Sequence, residues 1–184
     1  MMPRLRSLIL HLLDEHRVMA IATNRADGWP QVTTVGYVND VFLLYFFVAR
    51  NSQKYVNILR DARVSVAIGT DAQDPSDIRG LSLAGLAAEV TDRSEYEDVS
   101  QLRLKKYPEY VTRRAPGEGD HQGRIAARPP AAHVALLRIA PEIISVLDYS
   151  QGFGHSELVA FSERDLDVHV QSLDHRWNGD PERG

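Results

Sequence analysis

The sequence predicts a mainly β protein, a small split β-barrel with flanking helices. Stretches rich in β-branched and aromatic residues recur at short intervals, and residues typical of tight turns separate them. The helix-like stretches are fewer and lie between or outside these strands. The 184 residues contain no internal repeat and no linker between two cores. We therefore predict a single domain over residues 1–161, followed by a charged tail over residues 162–184.

The composition excludes several classes of function. The sequence has no cysteine, which rules out disulfides, cysteine-ligated zinc and thiol catalysis. Its net charge of −4 differs from the basic footprint of nucleic-acid-binding proteins. No apolar run approaches the roughly 20 residues that span a bilayer, and the pattern of a secretory signal peptide is missing. We expect a cytoplasmic protein with no nucleic-acid and no membrane partner.

The first elements predict a helix followed by an antiparallel meander of three strands. Apolar residues spaced for one face of a helix open the chain, at Leu5, Leu8, Ile9, Leu12 and Leu13. Residues 17–24 predict a strand, and the turn signal Asp27-Gly28 joins it to a second strand over residues 30–38. Asn39-Asp40 predicts the next turn, and residues 41–49 the third strand.

The middle of the chain predicts a short helix and two strands. Ser52 is a typical N-cap residue, and the apolar residues after it lie on one helix face. Strands are predicted over residues 63–69 and 81–92. Gly85, inside the second of these strands, indicates a β-bulge or a close backbone approach.

The last third of the sequence predicts a helix, a loop and two strands. Ser94 and Glu97 have the spacing of a capping box at the start of the helix. Residues 112–132, rich in glycine, proline, arginine and alanine, predict a long loop. Two strands follow and are expected to break at Pro141, and residues 151–157 predict a glycine-rich turn.

The start of the predicted short helix is the first candidate site. A helix N-terminus offers free backbone N–H groups and a partial positive charge. A phosphate placed there meets those donors together with a serine hydroxyl and a lysine ammonium. The residues of this kind are Ser52, Gln53, Lys54 and Asn57. The alternative interpretation is an ordinary N-capped surface helix.

Two further groups could face a ligand. Thr33 and Thr34 are neighbours in a predicted strand and so face opposite sides of the sheet, although β propensity alone explains threonine there. Tyr149, Phe153 and His155 surround two glycines and could form the wall of a site for a flat ring. A hairpin turn with hydrophobic anchors explains them equally well. The histidines form no H-E-x-x-H motif, and we expect no metal.

Three segments in order resemble the pyridoxamine 5′-phosphate oxidase family of FMN-binding split barrels. They read "VMAIATNRADGWPQVTTVGYV", "LLYFFVARNSQKYVNILRDARVSVAI" and "LSLAGLAAEV". The first is similar to the family's A-T and D-G-x-P opening, the second to its S-x-K-x-x-N segment, and the third to its G-x-A strand. The resemblance extends from about Leu12 to about Gly154.

The resemblance implies a homodimer with two FMN sites at the subunit interface. The residues implied along the flavin edge are Thr33, Thr34 and Val35. Those implied against the ring or the ribityl chain are Phe47 and Val48. The phosphate would be bound by Ser52, Gln53 and Lys54, with Asn57 nearby. The residues that would line the substrate side are Tyr149, Phe153 and His155.

The function expected from this resemblance is an FMN-dependent oxidoreductase acting on a small molecule. The oxidase itself has arginines where this chain has Thr33 and Gln53, and its C-terminal R-L-H-like run is replaced by "DYSQGFGH". The resemblance therefore extends to the fold and the cofactor more than to vitamin B6 oxidation. Two alternatives stay open: a split barrel that binds a deazaflavin, or haem with His155 or His133 as axial ligand, and a non-catalytic flavin-binding module.

Overall fold

Antiparallel strands form most of the chain in the computed structural model, which describes residues 3–109, 133–161 and 170–173. Within these ranges, the helices are α1 (Pro3–Glu15), α2 (Gln53–Arg60) and α3 (Arg93–Lys106). The strands are β1 (Val18–Asn24), β2 (Pro30–Gly36), β3 (Val38–Asp40), β4 (Leu43–Ala49), β5 (Arg63–Gly69), β6 (Arg79–Glu89), β7 (Val134–Asp148), β8 (Ser156–Phe161) and β9 (Val170–Leu173). None of these helices is long and apolar enough to cross a lipid bilayer.

The strands form one curled sheet in the order β2-β1-β5-β6-β7-β4-β3, and β8 and β9 extend it beside β7. Only Tyr37 separates β2 from β3 in the sequence, yet these strands lie at opposite ends of that order. The sheet must therefore curl until its two ends meet, which makes a barrel. Since β2 and β4 form no ladder with each other, the barrel is split at this position. The predicted mainly β, split-barrel fold is confirmed.

The core lies between α1 and the inward faces of the strands. β5 alternates buried and exposed residues, with Val64, Val66 and Ile68 pointing inward. α1 packs against these inward-facing residues with a buried stripe, which consists of Leu5, Ile9, Leu12 and Leu13. Fully burying each side chain of this size contributes about 1.5–3 kcal/mol. The predicted amphipathic first helix is confirmed, and its buried stripe contributes to the barrel core.

β4 is apolar along its length because both of its faces are covered. Leu44, Phe46 and Val48 belong to the barrel core. Tyr45 and Phe47 point the other way and pack in a second cluster with residues of α3. A strand buried on both faces loses the apolar–polar alternation of a half-buried strand. The α3 layer thereby fixes β4 from outside the barrel.

The predicted turn at Asn39-Asp40 is wrong by two residues. Asp40 pairs with Leu43, so the turn lies at Val41 and Phe42. Val41 has a φ of 51°, a left-handed conformation that costs a residue with a Cβ about 1–2 kcal/mol. The turn nevertheless forms there because it buries Phe42, whose ring lies 5.2 Å from that of Phe161.

The predicted capping box of α3 is also wrong. The N-cap is Asp92, whose carboxylate accepts a hydrogen bond of 2.8 Å from the backbone N–H of Glu95. Asparagine, aspartate and serine cap helices about equally well, so local sequence could not rank Asp92 against Ser94. Glu97 instead forms an ion pair with Arg93, one turn earlier.

The predicted break at Pro141 is wrong, since β7 runs without interruption through this residue. Ala84 pairs with Ile143 and Gly85 with Pro141, so Glu142 is the extra residue of a β-bulge. A bulge is one of the few places in a sheet where a proline, which lacks an N–H, is tolerated. The predicted bulge at Gly85 is confirmed.

The C-terminal part differs from the sequence expectation. The turn predicted at residues 151–157 ends two residues earlier, because β8, which the sequence did not indicate, begins at Ser156. β9 falls inside the predicted tail, whose other residues after Phe161 lie outside the described ranges. The predicted loop over residues 112–132 also lies outside them.

We predict that Gly85→Ala strongly destabilises the fold. A Cβ at this position would lie 2.3 Å from the carbonyl oxygen of Ala140, and backbone on the neighbouring strand cannot move aside as a side chain can. Overpacking of this kind costs about 1–3 kcal/mol or more, measurable by chemical denaturation. Gly69→Ala is the matched control, because the nearest atom to its Cβ would be 3.4 Å away. Equal stability of the two variants would contradict the assignment.

Lys106 joins α3 to α1 and β3. Its ammonium donates to the carbonyl oxygen of Leu13 at 2.7 Å and to Asn39 Oδ1 at 3.0 Å. It also lies 4.0 Å from the centroid of the Tyr37 ring. Burial lowers the pKa of Lys106 to about 8; the charge of Asp14 opposes this shift, and the charge of Arg17 adds to it.

We predict that this shift makes stability rise with pH above 8. In the unfolded chain Lys106 holds its proton up to its ordinary pKa of 10.5, whereas the folded protein releases it from about pH 8. Because the unfolded state then binds more protons, the contribution of Lys106 to the free energy of unfolding increases between about pH 8 and pH 10.5. Denaturation curves should show this rise for the natural protein and for Lys105→Met. A rise that persists in Lys106→Met would disprove its origin in Lys106.

Candidate functional site

Within the described ranges, the split in the barrel leaves two strand edges without partners. There β2 pairs only with β1, and residues Phe46–Ala49 of β4 pair with β7 but not with β3. Backbone N–H and C=O groups therefore face the split from both sides, and unpaired groups of this kind are available to a ligand. The residues predicted for the flavin edge and ring lie here, on β2 and β4.

The pairing of β2 with β1 decides which threonine points into the barrel. Thr33 lies opposite Ile21, which is completely buried, so both face inward. Thr34 lies opposite Ala20 and is exposed on the outer face. Val35 faces inward like Thr33 and packs against the core. Within the described ranges Thr33 Oγ1 is buried and has no hydrogen-bond partner.

α2 begins four residues after β4 and directs its N-terminus to the same region. Ser52 is the N-cap, as predicted, and its Oγ accepts a hydrogen bond from the backbone N–H of Tyr55. The backbone N–H groups of Gln53 and Lys54 have no protein acceptor in the part of the chain described. The helix start therefore keeps two donors available beside its partial positive charge.

Lys54 contributes a half-buried cation without a counterion. Its ammonium lies 5.9 Å from the centroid of the Phe46 ring. No carboxylate among the residues with described side chains forms an ion pair with it, and burial lowers the pKa of Lys54. A nearby anion would offset this cost of burial by favouring the charged form.

Asn57 is buried and uses its amide group inside the protein. Its Nδ2 donates to Thr23 Oγ1 at 3.0 Å and to Gln31 Oε1 at 3.1 Å. Its Oδ1 accepts a hydrogen bond of 2.8 Å from Gln53 Nε2. Asn57 thereby ties α2 to β1 and β2, and it holds the side chain of Gln53.

Phe47 and Val48 occupy opposite faces of β4. Val48 is buried in the barrel core. The ring of Phe47 lies toward α3, 6.1 Å from the ring of Tyr96 and 4.9 Å from the guanidinium carbon of Arg103. A small cavity of about 230 Å³ borders it and is lined by Gly36, Tyr37, Val38, Tyr45, Phe46, Phe47, Arg103 and Tyr107.

The three residues predicted for the substrate side lie in another groove. It has a volume of about 1220 Å³ and covers the outer face of β5, β6 and β7, and no residue of β2, β4 or α2 lines it. Phe153 is 92% exposed, and its ring lies 5.2 Å from that of Tyr149. His155 Nε2 lies 3.3 Å from Glu157 Oε1. A single chain thus does not bring these residues to the barrel split.

One charged group near the split was not identified from the sequence. Arg50, at the end of β4, forms an ion pair with Glu89 and donates to the hydroxyl of Tyr55 at 2.7 Å. The hydrogen bonds from Arg50 lower the pKa of Glu89. Because Glu89 is 39 residues away in the sequence, no local pattern indicates this pair. The carboxylate largely neutralises Arg50, in contrast to Lys54.

The outer face of the sheet carries a row of small and apolar residues. One residue from each of five adjacent strands lies in register, and the row reads Val32, Ala22, Ser65, Ala84 and Ile143. Val32 is 64% exposed and Ile143 is 44% exposed. We call this set the outer row. A row without charges on an exposed sheet face is typical of a surface that another protein covers.

Sequence comparison identifies related proteins. The family model described as Pyridoxamine 5′-phosphate oxidase matches residues 5–147, well over half of the chain. No curated protein sequence matches this chain.

Solved structures share the fold. A putative pyridoxamine 5′-phosphate oxidase from Listeria innocua is 23% identical, with a TM-score of 0.58, covering 78% of this chain and 98% of that one. A pyridoxamine 5′-phosphate oxidase-related, FMN binding protein from Nostoc punctiforme is 16% identical, with a TM-score of 0.61 and coverages of 95% and 100%. A heme binding protein from Mycobacterium smegmatis is 16% identical, with a TM-score of 0.62 and coverages of 84% and 55%.

Proposed function

Because the chain belongs to the pyridoxamine 5′-phosphate oxidase family, we propose that it is an FMN-binding oxidoreductase for a small-molecule substrate. The observation that supports this most is Lys54 at the start of α2, a half-buried cation that has no counterion among the described side chains. The residues present fit FMN, since the split combines this cation and helix N-terminus with unpaired strand edges and a buried orphan hydroxyl.

In this proposal the phosphate is bound by residues at the start of α2. Ser52 Oγ accepts a hydrogen bond from the backbone N–H of Tyr55, which leaves the hydroxyl hydrogen of Ser52 available to the phosphate. The backbone N–H of Gln53 and the ammonium of Lys54 complete a charge-assisted set of donors. Asn57 acts as a positioning residue through its hydrogen bond with Gln53.

The remaining predicted residues would position the flavin ring. The free edges of β2 and β4 supply the backbone donors and acceptors of Thr34 and Phe47, while Thr33, Val35 and Val48 would contribute their inward-facing side chains. FMN supplies the redox chemistry when it is bound, and the protein provides binding, orientation and electrostatics. Such a division of roles requires no nucleophile or acid–base pair from the protein.

We predict that Lys54→Met weakens FMN binding about 10- to 100-fold. A hydrogen bond to a charged group contributes about 1.5–3 kcal/mol, and each 1.4 kcal/mol corresponds to a factor of ten. Quenching of flavin fluorescence on titration with the purified protein measures the affinity. Lys105→Met, which removes an exposed lysine of α3, should bind FMN like the natural protein.

The outcomes of this titration separate two statements. Natural protein that is colourless and does not respond to FMN would refute the cofactor proposal as a whole. Binding that is equally tight in Lys54→Met would leave FMN in place and refute the phosphate assignment.

The proposed functional unit is a homodimer, supported by the outer row and by the separate location of the second groove. Tyr149, Phe153 and His155 lie on a different face from the split, so a second copy is required to bring them to the flavin as the substrate side. The exposed Phe153 and the uncharged outer row are surfaces that such contact would bury.

We predict that Ser65→Glu dissociates this dimer. Ser65 is exposed at the middle of the outer row, and a carboxylate buried there without a partner opposes association. Light scattering coupled to size exclusion should give the mass of two chains for the natural protein and of one for the variant. Val56→Glu on the exposed face of α2 is the control. A natural protein that is monomeric, or a dimeric Ser65→Glu, would contradict this interface.

Haem is the second candidate cofactor, favoured by the heme binding protein from Mycobacterium smegmatis among the structural neighbours. His155 lines an open groove and would be the axial ligand, whereas His133 is exposed and its carbonyl oxygen accepts from the backbone N–H of Arg50. An absorbance spectrum after titration with each cofactor distinguishes them, because haem ligated by histidine gives a Soret band that flavin lacks.

A further inference from the structure

The two strand edges that border the split lie in register with each other. β3 pairs with β4 so that Val38 lies opposite Tyr45, and β2 leads into β3 through Tyr37 alone. Continued back past Tyr37, the same register places three residues of β2 opposite three residues of β4. The resulting pairs are Gly36 with Phe47, Val35 with Val48, and Thr34 with Ala49.

The side-chain faces of the two strands agree with this register. Val35 and Val48 both point inward and pack in the barrel core. Thr34 and Ala49 are both exposed on the outer face. Residues opposite each other in an antiparallel ladder point to the same side of the sheet. The pairs therefore match without any rotation of either strand.

The free backbone groups of the two edges also match. The direction of hydrogen bonding alternates along an antiparallel strand. The N–H of Tyr37 donates to the carbonyl oxygen of Arg17 at 3.2 Å, and that of Arg50 donates to the carbonyl oxygen of His133 at 3.0 Å, so Tyr37 and Arg50 both bond away from the split. The alternation then assigns the groups that face the split to Thr34 and Gly36 of β2 and to Phe47 and Ala49 of β4.

Tyr107, at the end of α3, holds the chain where such a ladder would begin. Its hydroxyl accepts a hydrogen bond of 3.0 Å from the N–H of Tyr37 and shares its proton between the carbonyl oxygens of Tyr37 and Arg17. A Cβ on Gly36 would lie 3.2 Å from this hydroxyl, so Tyr107 packs against the end of β2. Gly36 and Phe47, the first pair of the ladder, both line the cavity of about 230 Å³ that Tyr107 borders.

We propose that the split is a seam that can close into a regular β2–β4 ladder, and that Tyr107 is the positioning residue that keeps it open. Closure satisfies the free backbone groups of both edges and fills the opening in which a ligand would lie. A ligand in the split therefore favours the open form, because it binds that form alone. Closure can be measured without a cofactor, and only its effect on FMN affinity rests on the proposed function.

Disulfide trapping tests closure directly, because the chain contains no cysteine of its own. In the closed register Val35 and Val48 form a non-hydrogen-bonded pair with Cα atoms about 4.5 Å apart, within the roughly 4.4–6.8 Å that a disulfide spans. Mild oxidation should therefore cross-link Val35→Cys/Val48→Cys, and added FMN should slow this reaction. Val35→Cys/Ala49→Cys is the control and should stay reduced, because Ala49 faces the outer surface.

Tyr107→Phe tests the role of the hydroxyl while keeping the ring. Cross-linking of Val35→Cys/Val48→Cys should become about tenfold faster in this background, the factor that corresponds to the loss of one hydrogen bond. Amide hydrogen exchange at Gly36 and Phe47 should become slower, because both N–H groups gain acceptors, and FMN affinity should fall. A merely structural role of Tyr107 would make exchange faster. Tyr149→Phe, which removes a hydroxyl in the other groove, should change neither the cross-linking nor the exchange.

Two results would overturn the inference. One is that Val35→Cys/Val48→Cys cross-links no faster than its control, a comparison that remains decisive even if Tyr107→Phe does not fold. The other is that Tyr107→Phe folds and leaves both the cross-linking rate and the exchange of Phe47 unchanged. A natural protein that does not bind FMN refutes the proposed function instead, since both of these measurements can be made on the protein without cofactor.

Discussion

The unpaired edges of β2 and β4 are the constraint on which the other features of this structure depend. Closing the barrel at this position would satisfy their backbone groups, but β2 continues through Tyr37 into β3, which pairs with the start of β4 instead. Among the residues that the structure describes, the rest of β4 is therefore left with one free edge. Backbone groups that a sheet leaves unpaired must find other partners, and this requirement makes the split the natural position for a ligand.

Keeping the split open requires that both of its sides are held from elsewhere. β4 is fixed because its two faces pack in different clusters, one in the barrel core and one under α3. The hydrogen bonds of Lys106 to Leu13 and Asn39 connect the end of α3 to α1 and β3. On the other side, Asn57 anchors α2 to β1 and β2. Rigid elements therefore frame an opening that the sheet itself does not close.

The features that could be predicted from the sequence are those with a local cause. Asp27-Gly28 specifies its hairpin because Gly28 adopts a φ of 87°, and Ser52 caps α2 through a hydrogen bond three residues away. Gly85 predicted a close backbone approach, although the sequence did not identify the approaching residue, Ala140.

The features that were missed depend on residues far apart in sequence. The turn at Val41 follows from the contact of Phe42 with Phe161, and the continuity of β7 through Pro141 follows from its register with Gly85. The same holds for the site. Ser52 and Lys54 were found from a helix start, but only the pairing with Ile21 shows that Thr33 faces inward.

The proposed site also illustrates how a phosphate can be bound with little positive charge. Neutral donors bind an anion well when they are already oriented, because no free energy is then spent on ordering them. The network of Gln53, Asn57 and Gln31 provides this orientation, and it lies on α2 and β2 rather than on loops. Glu89 meanwhile neutralises Arg50, which lies between β4 and α2. Affinity in such a site depends on the geometry of its donors more than on the number of its charges.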